Sequence, residues 1–239
     1  MRLICPRDNS RPPIDLDTIS ASHLPSLLAE VAGRLGLPYG YDAAAQKIYL
    51  GDRPAQSAIR LDVPYYYQGD SDVAAQAWRM CFSSSCAMLL ETLKPGSVQG
   101  QNGDDQYLRR VLQYGDTTDP TAQLAALRHC GVRARYSQAL DWEDIDRQLE
   151  AGIPVPIGIL HHGPVTAPTG GGHWILVVGR DAKRESVLVH DPAGELDLVA
   201  GGYPSYGAGR YVTYSRRNLG ARWMVEGPGT GWGILAERP

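Results

Sequence analysis

Between Ser83 and Gly152 the apolar residues recur at helical spacing, and from Pro154 onward they fall in short, nearly continuous runs. "SSSCAMLLETL" sets Cys86, Leu89, Leu90 and Leu93 on one helical face. "DDQYLRRVLQYG" and "DPTAQLAALRHCG" predict two more amphipathic helices, each closed by a glycine. Asp119 is placed to cap the second of these, with Pro120 in its first turn. "DWEDIDRQLEAG" predicts a fourth helix, capped by Asp141 and ended by Gly152. The later runs, "PVPIGIL", "HWILVVGR", "ESVLVHDP" and "GRYVTYS", read as strands, and "RWMVEG" is added to them. "IRLDVPYYYQ" is an extended segment before the first helix, with Pro64 marking an edge or an end. Helices first and an antiparallel sheet second predict an α+β domain with segregated layers.

Residues 1–58 follow a different pattern. Leu24, Leu27, Leu28, Val31 and Leu35 predict a helix ended by Gly36, "KIYLG" a short strand and "DRPAQS" a linker. So small a unit has little core of its own and is expected to be an accessory to a main domain over 59–239.

Composition narrows the function classes. A net charge of −3 gives no polyanion signal, so nucleic acid is not an expected partner. Cys5, Cys81, Cys86 and Cys130 are too scattered for a disulfide framework, and no C-x-x-C pair suggests a zinc ribbon. The start "MRLICPRDNSRPP" lacks a signal peptide's apolar run, and no stretch reaches the roughly 18 apolar residues of a membrane span. The expectation is synthesis in the cytoplasm without a signal peptide, no integral membrane segment and no cofactor. Oligomeric state is not legible.

The candidate chemistry starts from the hairpin "HWILVVGRDAKRESVLVHD". If its turn centres near Ala182, His173 and Asp191 face each other across the ladder, close enough for a carboxylate to hold an imidazole. The competing reading is a solvated hairpin end with an unrelated histidine and a turn aspartate. Among the cysteines, Cys81 sits at a predicted helix start, where unpaired N–H groups and the positive dipole end favour a thiolate. Cys86 falls on the buried helical face, Cys130 at a helix's negative end, and Cys5 outside the domain. Ser83, Ser84 and Ser85 are read as capping residues. His161 and His162 precede a glycine-rich loop; as strand neighbours they would point to opposite faces, so at most one could join His173 and Asp191 around a metal. His190 should project away from Asp191, and His23 and His129 are surface or core residues. Trp174 either shields the His–Asp contact or fills the core.

"LDVPYYYQ", "CFSSSCAMLLETL", "GGHWILVVGR" and "VLVHDPAGE", in that order, resemble the C39-like branch of the papain-like cysteine peptidases. The resemblance covers residues 61 to about 196. It implies a papain-like fold, a helical half packed on a twisted antiparallel sheet, and a peptidase that hydrolyses amide bonds. Carried over by position, Cys81 is the nucleophile, His173 the base and later acid, and Asp191 the group that orients the imidazole. Gln68 is the oxyanion donor, with Gln76, nearer in sequence to Cys81, as its rival. Phe82 and Ser83 follow the cysteine where the family has a small residue and then proline.

The substrate has three readings. The resemblance to phage lysins and cell-wall hydrolases implies peptide bonds of bacterial peptidoglycan, cut after release from the cell. A protease processing polypeptide or leader substrates is the alternative, although no G-x-x-x-x-G-K-[ST] exporter motif occurs in the sequence. The third is an inactive papain-like binding module, against which the intact Cys, His and Asp set argues.

Overall fold

The computed structural model describes residues 2–3, 14–15, 28, 39–42, 47–50, 58–73, 75–181 and 186–238. The chain divides into two compact units, Met1–Ala55 and Gln56–Pro239. In the first, β1 (Arg2–Leu3) pairs with β2 (Ile14–Asp15), and β3 (Tyr39–Asp42) pairs with β4 (Lys47–Leu50). The expected strand "KIYLG" is thus β4, and Leu28 is helical. The rest of the predicted helix, the linker at 52–57, Cys5 and His23 lie outside the described residues.

The second unit begins with β5 (Ile59–Arg60) and a short 3-10 turn at Gln68–Asp70. Three helices follow: α1 (Cys81–Leu93), α2 (Gly103–Val111) and α3 (Pro120–His129). Asp119 caps α3 as predicted, its carboxylate accepting the Thr121 N–H at 2.8 Å. After β6 (Ala134–Leu140) comes α4 (Trp142–Glu150), whose Asp141 and Asp144 form a reciprocal capping box. Strands β7 (Val155–Ile159), β8 (His173–Arg180), β9 (Ser186–His190), β10 (Gly194–Glu195), β11 (Ser205–Tyr206) and β12 (Val212–Ser215) follow. Helix α5 (Arg216–Trp223) and β13 (Gly231–Ala236) complete the unit.

The main sheet is antiparallel, in the order β12-β9-β8-β7-β13-β6, with β5 on the far end of β8. Because side chains alternate along a strand, β8 serves two cores. Leu176 and Val178 pack with Phe82, Met88, Leu89 and Leu90 of α1. Ile175 and Val177 pack with Ile145 and Leu149 of α4 and with Leu219 and Trp223 of α5. Each fully buried large apolar side chain stabilises the fold by about 2 kcal/mol.

Three expectations are corrected. "RWMVEG" is not a strand: its first residues finish α5, which Ser215 starts by accepting the Asn218 N–H at 3.3 Å. Strands β6 and β13 were not anticipated. The first is an edge strand of mixed exposure and the second is interrupted by glycine, so neither carries a continuous apolar run. Finally, α1 starts at Cys81, so Ser83, Ser84 and Ser85 cap nothing and are fully buried. Ser83 Oγ meets Thr117 Oγ1 at 2.8 Å and Ser84 Oγ donates to Asp104 at 2.6 Å, letting α2 and α3 approach closely.

Candidate active site

One cleft of about 460 Å³ is lined by Gln68, Cys81 and His173, together with His161, His162, Tyr203 and an aromatic rim. Cys81 is the first residue of α1, half-exposed, and the preceding Met80 supplies no side-chain cap. The helix therefore begins at the cleft with its first N–H groups unclaimed by a capping side chain. Cys86 is fully buried, and burial pushes its thiol far above the usual range. Cys130 is half-buried at the end of α3, where its sulfur accepts from Arg110 Nη1 at 3.5 Å.

His173 opens β8, and its Nε2 lies 2.8 Å from Asp191 Oδ1. The other ring nitrogen, Nδ1, is not engaged by Asp191, and Cys81 lies close enough to the imidazole to act on its charge. Burial works to lower the pKa of His173, but the Asp191 carboxylate and the Cys81 sulfur outweigh it and raise the value to about 10.

The hairpin register differs from the expected one. Leu176 faces His190 and Val177 faces Val189, with an irregularity before Gly179; the turn itself lies outside the described residues. Continued outward, that register places Asp191 opposite Ile175 rather than His173. The offset is even, so both side chains keep the same face and meet on a diagonal, which long side chains span. The odd-numbered face was readable from the sequence; the exact facing pair was not.

Asp191 is fully buried and well supplied with donors. Besides His173, it accepts from the Ala193 N–H at 3.0 Å, from Tyr203 Oη at 3.0 and 3.3 Å, and from Tyr214 Oη at 3.4 Å. Burial first, then the neighbouring carboxylate, push the Tyr203 phenol far up, so it stays a donor. The Tyr203 ring stands edge-on to His173, with centroids 5.6 Å apart. It is Tyr203 that covers the His–Asp contact. Trp174, on the opposite face of β8, stacks on Phe82 at 3.5 Å instead.

Gln68 is buried, and its backbone N–H donates to Pro192 O at 3.0 Å, tying it to the segment after Asp191. Its Oε1 is buried and lacks a partner among the described residues. The two ends of an amide exchange by a half-turn, so that unclaimed end can present an N–H to a negative oxygen. Gln76 is half-buried outside the cleft lining, where its Oε1 accepts from Arg79 Nη1 at 3.5 Å.

Residues His161 and His162 depart from expectation. They lie beyond the end of β7, so strand alternation does not separate them; both line the cleft, with ring centroids 3.9 Å apart. Burial, with His173 and His162 beside it, lowers His161 to about 4. Among the described residues no group of three or more His, Cys, Asp or Glu side chains could hold a metal ion. His190 projects from the other face, accepting the Tyr211 N–H at Nδ1 (3.0 Å) and facing Val63 O through Nε2 (3.1 Å). Tyr203 and Tyr214 escaped sequence reasoning: Tyr203 sits in a glycine-rich stretch without periodicity, and Tyr214 lies on a predicted strand whose pattern does not reveal what its phenol reaches. His161 and His162 were singled out in the sequence, but not that both line the cleft.

The Peptidase_C39 like family model matches residues 60–213. Among solved structures, a C39-like peptidase from Bacillus anthracis is similar over 77% of this chain and 99% of its own, at 14% identity and TM-score 0.51. The peptidase domain of Streptococcus ComA, a bifunctional ABC transporter, aligns over 68% and 93% at 16% identity and TM-score 0.44. A double-glycine motif protease from an AMS/PCAT transporter aligns over 76% and 98% at 14% identity and TM-score 0.41. No curated protein matches the chain. Among the described residues no helix is long and apolar enough to cross a membrane. With the family model spanning more than half of its residues, this chain belongs to the Peptidase_C39 like family and is a cysteine peptidase.

Proposed function

We propose that Cys81 is the nucleophile of an amide hydrolase acting on peptide bonds of bacterial peptidoglycan. His173 Nδ1 takes the thiol proton, and the sulfur attacks the carbonyl carbon. The developing oxyanion is met by the Cys81 backbone N–H and the Gln68 amide. His173 then protonates the leaving amine, and the thioester left on Cys81 is hydrolysed by a water that gives its proton back to the imidazole. Asp191 holds the ring's tautomer and stabilises its charged form. The observation that carries this reading is that Cys81 and His173 line one cleft while Asp191 holds the imidazole from behind at 2.8 Å.

The walls support the choice of substrate. Among the lining residues Arg79 alone has a permanent charge, and it is paired with Asp116 at 2.9 Å. Trp78, Tyr206 and Trp232 are exposed large side chains at the cleft. Flat apolar faces beside an almost neutral cleft suit a short peptide attached to sugar better than a charged polypeptide.

The test uses purified protein and its Cys81→Ala variant on peptidoglycan zymograms and on denatured casein, with circular dichroism for the fold. Clearing of peptidoglycan by the parent and none by a folded variant is the expected result. Casein cleavage without clearing would move the assignment to a protease of polypeptide or leader substrates. Hydrolysis retained by Cys81→Ala would end the assignment of the nucleophile, and no hydrolysis by either protein would leave a binding module.

A further inference from the structure

We propose that Arg222 is a positioning residue for the His173–Asp191 pair, acting through two loops that it ties together. This rests on the proposed catalytic roles of Cys81, His173 and Asp191. Arg222 lies on α5 and is completely buried. Among the described residues it has no ion-pair partner; its guanidinium is spent on carbonyl oxygens. Nε donates to Leu198 O at 2.8 Å, Nη1 to Leu160 O at 3.0 Å and His162 O at 3.2 Å, and Nη2 to Gly163 O at 2.7 Å. Three of these acceptors belong to the loop after β7 and the fourth to the segment after β10. A buried cation without a carboxylate is costly, and burial lowers the Arg222 pKa. A planar fork of five donors can reach four carbonyls at once, which the compact ammonium of lysine cannot.

Those two loops carry the walls of the active site. The first presents His161 and His162, and the second leads into Tyr203. They also bond directly, Gly202 N–H to His161 O at 2.7 Å and Val165 N–H to Val199 O at 2.8 Å. At Gly201, with φ of +80°, a Cβ would collide with Gly163 O, so the backbones are already in contact. Tyr203 in turn donates to Asp191 and stands against His173. Slackening the Arg222 junction therefore loosens one of the donors that fix Asp191, the phenol that also covers the imidazole, and with it the imidazolium that keeps Cys81 reactive at low pH.

The experiment follows iodoacetamide alkylation of Cys81 against pH, read by peptide mass. It compares the parent, Arg222→Gln, Tyr203→Phe and the double variant, with Tm recorded for each. Arg222→Gln should slow alkylation at pH 7 by about tenfold and displace the profile to higher pH. Tyr203→Phe should do the same, and the double variant should be no slower than the slower single variant, because both act through one contact. A lowered Tm with an unmoved profile, or multiplicative effects in the double variant, would overturn the proposal. If Arg222→Gln does not fold, Gly201→Ala carries the test. It forces the loops apart while leaving Arg222 and the pair intact; a displaced profile supports the role and an unmoved one overturns it. A parent in which Cys81 shows no reactivity at low pH would instead overturn the proposed nucleophile.

Discussion

At the scale of the residue, the separation of Gln68 from Cys81 along the chain says little about their separation in space. The segment between them leaves the cleft and returns, so the glutamine farther in sequence lines the cleft and the nearer one, Gln76, does not. On the proposed mechanism Gln68→Ala should lower kcat by about a hundredfold or more, the typical loss of one oxyanion donor, while Gln76→Ala leaves it unchanged. Steady-state hydrolysis by both variants decides this, and equal losses would return the choice to neither residue. Cys81, His173 and Asp191 could be singled out in the sequence because each sits at a recognisable place, a helix start and two strand ends. Tyr203 could not, since nothing in "GGYPSYG" signals that one phenol bonds a carboxylate on another loop.

At the scale of the element, caps and apolar stripes identified α3 and α4, whose starts follow the predicted aspartates closely. Helix α5 escaped because its apolar positions are few, and tertiary contacts rather than local pattern hold it. One of these is ionic: Asp146 of α4, itself buried, meets Arg180 of β8 at 2.9 Å and Arg216 of α5 at 2.6 Å. Asp146→Ala should destabilise the fold by about 3 kcal/mol, because it strips a partner from a buried arginine as well as removing a contact. Urea unfolding measures it, and a change below about 1 kcal/mol would place the pair with weak surface bridges.

At the scale of the whole molecule, pH couples to stability through buried histidine. Burial lowers the pKa of His190 to about 4, with Arg210 and Arg60 adding to the effect. An unfolded histidine titrates near 6.5, so this group's contribution is complete above that value and is lost as pH falls toward 4. Asp104 acts with the opposite sign: burial raises it to about 7, so its contribution is lost as pH rises from about 4. Comparing the parent with His190→Gln cancels that background. The parent should lose roughly 3 kcal/mol more than the variant between pH 7 and pH 4, read from urea midpoints. Parallel curves would mean that His190 titrates normally. The three helices before β6, the helix after it, the strands β7, β8, β9 and β12, the placement of Cys81 at a helix start and the shared face of His173 and Asp191 were legible in the sequence alone; β6, β13 and α5 were not. Periodicity, caps and strand alternation are local properties, and each survives an even slip in register. The diagonal meeting of His173 with Asp191, the approach of Gln68 and the cover of Tyr203 were decided only by the tertiary structure. They depend on an irregular ladder and on loop paths, where distance in space is independent of distance along the chain.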